Sequence, residues 1–232
     1  MVEPKRRIDM EPLDISLSTF LKISASKPRG QITIIRSLLA PGGYDFYKVL
    51  KRLAGQIARK EISLAQAELE VAKIKQSPER THTLELIRKF HSWFSANGQQ
   101  WSQPPKAKYT STSGLLKLRL NPEVAFVNSN GGTTALALWN TAAPALGTGV
   151  AAEGIQCLVN EIKPLPADEI GILHVRKRLV FDKTLVSPGS QARLSHNLML
   201  VEEIWKDLHD PGMGAEDVVS HIMSIGAAPP AP

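Results

Sequence analysis

The stretch 113–140 constrains the fold of this chain more than any other part of its sequence. Over 116–120, leucines alternate with cationic residues, which is the period-2 pattern of a strand with one buried face. A second apolar run covers 124–127, a dense turn signal follows at 128–132, and the alternation resumes over 134–139. This pattern predicts a three-stranded β-meander as the main sheet of the protein.

Upstream of that stretch, the sequence predicts four or five helices between residues 14 and 98. Asp14 is a candidate N-cap for the first helix, and a second helix is predicted over Gln31–Leu39, although the Ile-Thr-Ile-Ile run within it would also suit a strand. The clearest helix is predicted over Tyr44–Lys60, where four apolar side chains fall within about 60° of one another at ~100° per residue. One side of this helix is therefore expected to face a core.

Two further helix starts carry capping signals. Ser63 and Gln66 have the spacing of a capping box, which predicts a helix that runs to about Gln76. Ser77 is the next candidate N-cap, with Pro78 at the first helical position. That last helix is expected to end at Asn97 and Gly98, because this pair is a strong stop signal.

Beyond residue 140, the patterns predict helices and one more pair of strands. A helix is expected over 150–162 and two strands within 170–182. Ser190 is the candidate N-cap of a long amphipathic helix, and a short helix is expected over 216–225. We expect the leucines of the first and last meander strands to share one face of the sheet, packed against the Leu198 side of the long helix.

These patterns divide the chain into five segments. Residues 1–13 are predicted to be disordered, 14–98 form a helical region and 99–112 form a proline-containing linker. Residues 113–210 form an α/β region with the β-meander, and 211–232 form a tail whose last residues are disordered. The predicted fold class is α+β, with an N-terminal helical half followed by a small antiparallel or mixed sheet and two to three helices.

Composition excludes several classes of protein. No apolar run reaches the ~18–20 residues that a membrane-spanning helix needs, and no apolar segment of a secretory signal follows the N-terminus. Cys157 is the only cysteine, which excludes an internal disulfide and a multi-cysteine metal site, and the histidines lack metal-ligand spacing. We therefore expect a cytoplasmic protein that has no membrane partner, no metal and no cofactor, and in which Cys157 is packed rather than nucleophilic.

Charge is distributed unevenly along the chain. Residues 1–110 hold 19 Lys and Arg against 10 Asp and Glu, whereas residues 111–232 hold 9 against 12. Such asymmetry is typical of a protein with a surface for nucleic acid or an acidic protein partner. It is equally typical of solvated helix surface that favours solubility.

The helix predicted over Tyr44–Lys60 carries the most specific cationic pattern. Lys48, Arg52 and Arg59 fall nearly opposite its apolar side, with Lys51 about 60° from Lys48 on the helical wheel. We interpret the chain as a non-enzymatic cytoplasmic binding protein whose basic helical half contacts nucleic acid or an acidic protein through phosphate or carboxylate groups. The candidate binding residues are Arg29, Arg36, Lys48, Lys51, Arg52, Arg59, Arg88 and Lys89.

The alternative is an enzyme that uses one of two short motifs. Gly147–Ala152 matches the letters of the G-x-G-x-x-G/A dinucleotide pattern, but residues 141–146 separate its first glycine from the preceding predicted strand. Glu161 and Lys163 match the E-x-K element of a metal-dependent nuclease, although they fall at a predicted helix end. A Gly147 that directly follows the C-terminal end of a strand would favour the nucleotide enzyme.

Overall fold

The computed structural model of the chain describes residues 10–39, 46–98, 100–163 and 169–226. Within these residues the protein has an α+β fold, with eight α-helices and two mixed sheets of three and five strands. The predicted fold class is therefore confirmed. The disorder predicted at the two ends of the chain concerns residues that lie mostly outside the described ranges.

The helices and strands follow one another in this order along the chain. The five helices that precede residue 98 are α1 (Leu17–Ser24), α2 (Pro28–Leu39), α3 (Lys48–Ala58), α4 (Leu64–Ala72) and α5 (Ser77–Asn97), and the later helices are α6 (Thr148–Glu161), α7 (Pro188–Asp207) and α8 (Ala215–Gly226). The strands are β1 (Leu13–Ser16), β2 (Gln100–Ser102), β3 (Ala107–Thr110), β4 (Leu116–Leu120), β5 (Val124–Val127), β6 (Thr133–Trp139), β7 (Glu169–His174) and β8 (Leu179–Asp182).

The three strands predicted as one meander belong to two different sheets. Strands β5 and β6 form an antiparallel hairpin within the order β2-β5-β6-β7-β8, as the pattern predicted. Strand β4 instead lies between β1, to which it is parallel, and β3, to which it is antiparallel. The meander prediction is wrong for β4, because alternation identifies a strand and its buried face but not its partners.

Strand β6, helix α6 and strand β7 form a βαβ unit, although their parallel pairing was not predicted from the sequence. Strands β6 and β7 pair in parallel over six residues, and α6 is the crossover between them. Strand β8 then returns antiparallel to β7, which agrees with the strand pair predicted within 170–182. The central sheet is therefore antiparallel on one side of β6 and parallel on the other.

Three of the predicted N-caps are displaced by one to three residues. Ser16 rather than Asp14 caps α1, and its Oγ accepts a hydrogen bond from the backbone N–H of Thr19 at 3.2 Å. Asp14 lies in β1, where it forms ion pairs across the sheet. Polar residues cluster at these helix starts, so the sequence leaves several candidate caps. The caps that replace Ser77 and Ser190 are Gln76 and Ser187.

Other helix boundaries agree closely with those predicted from the sequence. Ser63 and Gln66 form the predicted capping box, although α4 already ends at Ala72. Helix α5 ends at Asn97, before Gly98, as the stop signal predicted. Helix α8 covers the short helix that was expected near the C-terminal end of the chain.

The segment 99–112, predicted as a linker, holds one strand of each sheet. Strand β2 pairs with β5, and β3 pairs with β4. Its extended backbone agrees with the proline pair, which disfavours a helix. The domain boundary that was placed here stays a prediction.

Two hydrophobic cores lie on opposite faces of β6. Ala135, Ala137 and Trp139 belong to the core formed with α1, α2, α6, α7 and α8. Leu136 and Leu138 belong to the core formed with α3, α4 and α5. The β4 leucines do pack in the Leu198 core, as expected, whereas the β6 leucines face the other way. A central strand is apolar on both faces, so its hydrophobicity does not show which core each residue joins.

Candidate ligand pocket and basic surface

A cavity of about 820 Å³ lies at the carboxyl end of β6, between α1, α2 and the start of α3. We call it the α1 pocket. Its walls come from residues 16–22, 34–38, 46–51, 119–123 and 137–141, together with Ile172. Ligands of α/β sheets commonly bind beyond the carboxyl ends of the strands, and this volume suits a small organic molecule.

One end of the α1 pocket is lined by hydroxyl groups from the first turn of α1. The Ser16 Oγ lies 2.9 Å from Ser18 Oγ and 3.0 Å from Thr19 Oγ1. Lys51 Nζ donates to Ser18 Oγ at 3.3 Å, which brings a positive charge to the same turn. The N-terminus of a helix carries unpaired backbone N–H groups and a partial positive charge, so this end of the pocket favours an anion.

Glu123 holds Lys51 at this end of the pocket. Its Oε1 lies 3.0 Å from Lys51 Nζ, and its Oε2 accepts a hydrogen bond from the backbone N–H of Leu138 at 2.7 Å. Arg119, which also lines the pocket, pairs with Asp14 at 3.2 Å. Among the charged lining residues that the structure describes, three are cations and Glu123 is the one carboxylate, so this described part of the lining is net positive.

The other end of the pocket is aromatic and aliphatic. Lys22 Nζ lies 5.3 Å from the ring centroid of Tyr47, which is within range of a cation–π contact. The Phe46 and Tyr47 rings meet edge to face at 5.0 Å, and Ile34 and Leu38 of α2 add apolar surface to the pocket lining. Burial raises the pKa of the Tyr47 hydroxyl, so this group stays protonated at neutral pH.

Two buried polar atoms without a hydrogen-bond partner belong to residues of the pocket lining. Trp139 is 1% exposed and Asn140 is 3% exposed. Neither Trp139 Nε1 nor Asn140 Oδ1 has a partner among the described residues. Buried polar groups are nearly always satisfied in native proteins, and the exceptions concentrate where water, ions or ligands bind. This observation marks the carboxyl end of β6 as a functional candidate.

The predicted basic surface is largely neutralised by ion pairs. Six of its eight cations lie within 4.0 Å of a carboxylate oxygen. The pairs are Arg29–Glu216 (4.0 Å), Lys51–Glu123 (3.0 Å), Arg52–Glu70 (3.7 Å), Arg59–Glu61 (2.5 Å), Arg88–Glu68 (2.6 Å) and Lys89–Glu85 (2.8 Å). Arg36 and Lys48 are exposed and form no ion pair with any residue that the structure describes.

The glycine motif does not have the geometry that a dinucleotide turn needs. Gly147 is the N-cap of α6, but residues 140–146 separate it from the end of β6. In a dinucleotide turn the first glycine follows the strand directly, so that the pyrophosphate rests on the helix N-terminus. Gly147 therefore does not directly follow the C-terminal end of a strand, which is the arrangement that would favour the nucleotide enzyme.

The Glu161 and Lys163 pair lies at the end of a helix rather than on a strand. Glu161 is the last residue of α6, whereas the nuclease chemistry needs carboxylates that hold a divalent cation together. Glu161 lines a second groove, of about 570 Å³, with Tyr109 and Glu202. Within the described ranges, no group of three or more His, Cys, Asp or Glu residues has an arrangement that could hold a metal ion.

Cys157 is expected to be unreactive in the folded protein. Burial, with the nearby Glu161 charge acting the same way, raises the pKa of its thiol to about 12. The thiolate is the nucleophilic form, so alkylation by iodoacetamide at pH 8 should be far slower than for the urea-unfolded chain. Mass spectrometry of timed samples measures both rates, and rapid modification of the folded protein would contradict this prediction.

Sequence reasoning missed the α1 pocket, although part of its signal was present. Ser16, Ser18 and Thr19 place three hydroxyls within four residues at the start of a helix. Hydroxyl residues are also the usual helix caps, so the cluster alone does not indicate a site. Lys51 was identified as a candidate binding residue, but as part of an outer surface rather than as part of a pocket wall.

No helix of the described ranges combines the length and the hydropathy that crossing a bilayer requires.

The chain matches no protein-family model, and none of the curated proteins is similar to it. Comparison with known proteins therefore adds no functional assignment to this geometry.

Proposed function

We propose that the protein binds an anionic ligand in the α1 pocket. The observation that carries this proposal is the convergence of Lys51 with the hydroxyls of Ser16, Ser18 and Thr19 at one end of a cavity. These groups are hydrogen-bond donors, and the α1 N-terminus adds a partial positive charge beside them. A phosphate or carboxylate group is the chemical complement of such a set.

The surroundings of Lys51 support a binding role because they fix its position. Glu123 contacts Lys51 with one carboxylate oxygen and a backbone N–H of β6 with the other. The ammonium group is therefore held between α1 and the central sheet, and little side-chain entropy remains to be lost when an anion binds. Within a concave site the attraction between the cation and the anion is also less screened than on an open surface.

Removal of the Lys51 charge is the direct test of this function. Lys51→Gln should weaken the binding of inorganic phosphate by about 10-fold to 150-fold, because one charge-assisted hydrogen bond contributes about 1.5–3 kcal/mol. Titration followed by ¹H–¹⁵N spectra gives the affinity and shows whether the amides of Ser18 and Thr19 respond. The matched control is Arg88→Gln, which removes an equal charge from α5, outside the pocket.

Two results separate the possible outcomes of that test. Unchanged affinity in Arg88→Gln together with weaker binding in Lys51→Gln supports the pocket. Chemical-shift changes spread over α4 and α5, together with an affinity that Lys51→Gln leaves unchanged, would contradict binding in the pocket. Thermal melts of each variant serve as the folding control, because Lys51→Gln leaves the mostly buried Glu123 carboxylate without its ion-pair partner.

The second candidate function is contact with nucleic acid along α2 and α3. The observation that favours it is that Arg36 and Lys48 are exposed and form no ion pair with a described residue. Both adjoin residues of the pocket lining, Ser37 and Tyr47. Exposed ion pairs are weak, so phosphates could compete for the paired cations Arg52 and Arg59.

The triple variant Lys48→Gln, Arg52→Gln, Arg59→Gln tests this second candidate. It should bind nucleic acid more weakly, and the dependence of affinity on salt should flatten by about one unit of slope per lost phosphate contact. Fluorescence anisotropy with single-stranded DNA, duplex DNA and RNA across a salt series measures both effects. If the wild-type protein binds none of these probes at low salt, the nucleic-acid proposal fails, and an acidic protein partner or solubility alone explains the charge.

A further inference from the structure

The two ends of the α1 pocket differ in chemistry, and two contacts fix how they are arranged. Ser18 contacts Lys51 at 3.3 Å, and Lys22 lies over the Tyr47 ring at 5.3 Å. Ser18 and Lys22 are four residues apart on α1, which is about 6 Å of helix rise. Tyr47 and Lys51 are also four residues apart, so α1 and the start of α3 line the pocket side by side in opposite directions.

The end of the pocket near Lys22 combines this cation with apolar and aromatic surface. The Phe46 and Tyr47 rings pack against each other there, and Ile34 and Leu38 of α2 also line the pocket. Leu38 is 40% exposed although it lines a concave site. A large apolar side chain at the rim of a pocket is a common feature of small-molecule sites, in which apolar walls surround a few oriented polar groups.

We infer that the ligand is an amphipathic organic anion whose head group binds at Lys51 and whose apolar body extends toward Phe46, Tyr47 and Leu38. This inference rests on the proposed function, because it assigns the head group to the anion end of the same pocket. The distance between the two ends is about one turn of helix, which a one-ring or two-ring body or a short alkyl chain spans.

A series of phosphate esters with the same head group and different bodies tests this ligand class. The probes are inorganic phosphate, phenyl phosphate, 1-naphthyl phosphate and octyl phosphate, with 1-naphthol as the probe that has a body but no charge. Isothermal titration calorimetry with the full chain should give affinities that increase from inorganic phosphate to phenyl phosphate to naphthyl phosphate. The affinity for 1-naphthyl phosphate should be tenfold to a hundredfold higher than the affinity for inorganic phosphate, in proportion to the apolar area that leaves water.

Two adjacent leucines at the end of α2 provide a matched pair of variants. Leu38 lines the pocket, whereas Leu39 does not, and the two side chains are exposed to nearly the same extent, 40% and 41%. Leu38→Gln should lower the affinity for naphthyl phosphate about threefold to tenfold and leave that for inorganic phosphate unchanged. Leu39→Gln should change neither affinity. Phe46→Ala is the second variant at the apolar end and should act in the same direction as Leu38→Gln.

The outcomes separate this inference from the function beneath it. Equal affinities for inorganic phosphate and all three esters would overturn the amphipathic ligand but leave anion binding intact. No binding of any phosphate would overturn both. Naphthol binding as tightly as naphthyl phosphate would overturn the anionic head group. If octyl phosphate binds more tightly than naphthyl phosphate, the ligand class is supported and its body is assigned to a flexible chain rather than a ring.

Discussion

Replacement of Leu118 with alanine is expected to lower the free energy of unfolding by about 2–5 kcal/mol, one of the largest effects of any single substitution in this protein. Leu118 is fully buried at the centre of β4, between Ile15 of β1 and Tyr109 of β3. Truncation removes apolar burial and leaves a cavity, because three paired strands have little freedom to close around it. Urea unfolding followed by circular dichroism measures the change.

Lys117→Ala is the matched control, since it truncates the adjacent residue on the other face of the same strand. Lys117 is only partly buried, so Lys117→Ala should lower the free energy of unfolding by less than about 1 kcal/mol. The slope of the free energy against urea should be the same in both variants, so that the midpoints report stability alone. If Leu118→Ala lowers the free energy of unfolding less than Lys117→Ala does, Leu118 lies outside the core and the register of β4 is off by one residue.

The second large effect is expected from Gly171→Ala in β7. A Cβ at this position would lie 2.3 Å from the Phe181 carbonyl oxygen, which is a backbone atom of the neighbouring strand β8. Since the backbone cannot move aside as a flexible side chain does, the β7–β8 pair must shift or open. We expect a loss of about 1–3 kcal/mol, the usual cost of overpacking, measured by thermal unfolding.

Gly149→Ala gives the opposite expectation from the same chemical change. Its Cβ would meet nothing nearer than Arg193 Nε at 3.9 Å, and the residue lies in α6. Alanine restricts the unfolded chain and favours a helix, so this variant should be neutral or more stable by about 0.4–1 kcal/mol. Equal destabilisation at both glycines would show that the contact at Phe181 is not the cause.

The parts of the fold that the sequence predicted are those that depend on neighbouring residues. The alternation over 116–120 gave β4 its correct face, and the capping box at Ser63 gave the start of α4. The partner of β4 was out of reach, because β1 is a four-residue strand about a hundred residues upstream, in a segment that looked like a disordered end and a helix cap. Pairing across such a distance leaves no local signal.

The candidate site was harder to predict than the fold, since five separate segments form its walls. A helical wheel gives the angle of Lys51 on α3 but not the residues that contact it. Those contacts are Glu123, just before a strand, and Ser18, on another helix. Counting charges along the sequence also does not show which cations form ion pairs. Arg88 and Glu68, for example, are twenty residues apart in sequence yet pair at 2.6 Å.

The position of β6 between the two hydrophobic cores has a consequence for how the protein opens. Its alternate residues belong to opposite cores, and both of its neighbours, β5 and β7, hydrogen-bond to it. Neither layer of helices can separate from the sheet without exposing one apolar face of β6. Local opening should therefore spare this strand, and its amide protons are expected to exchange with solvent last, through unfolding of the whole chain rather than through fluctuation of one layer.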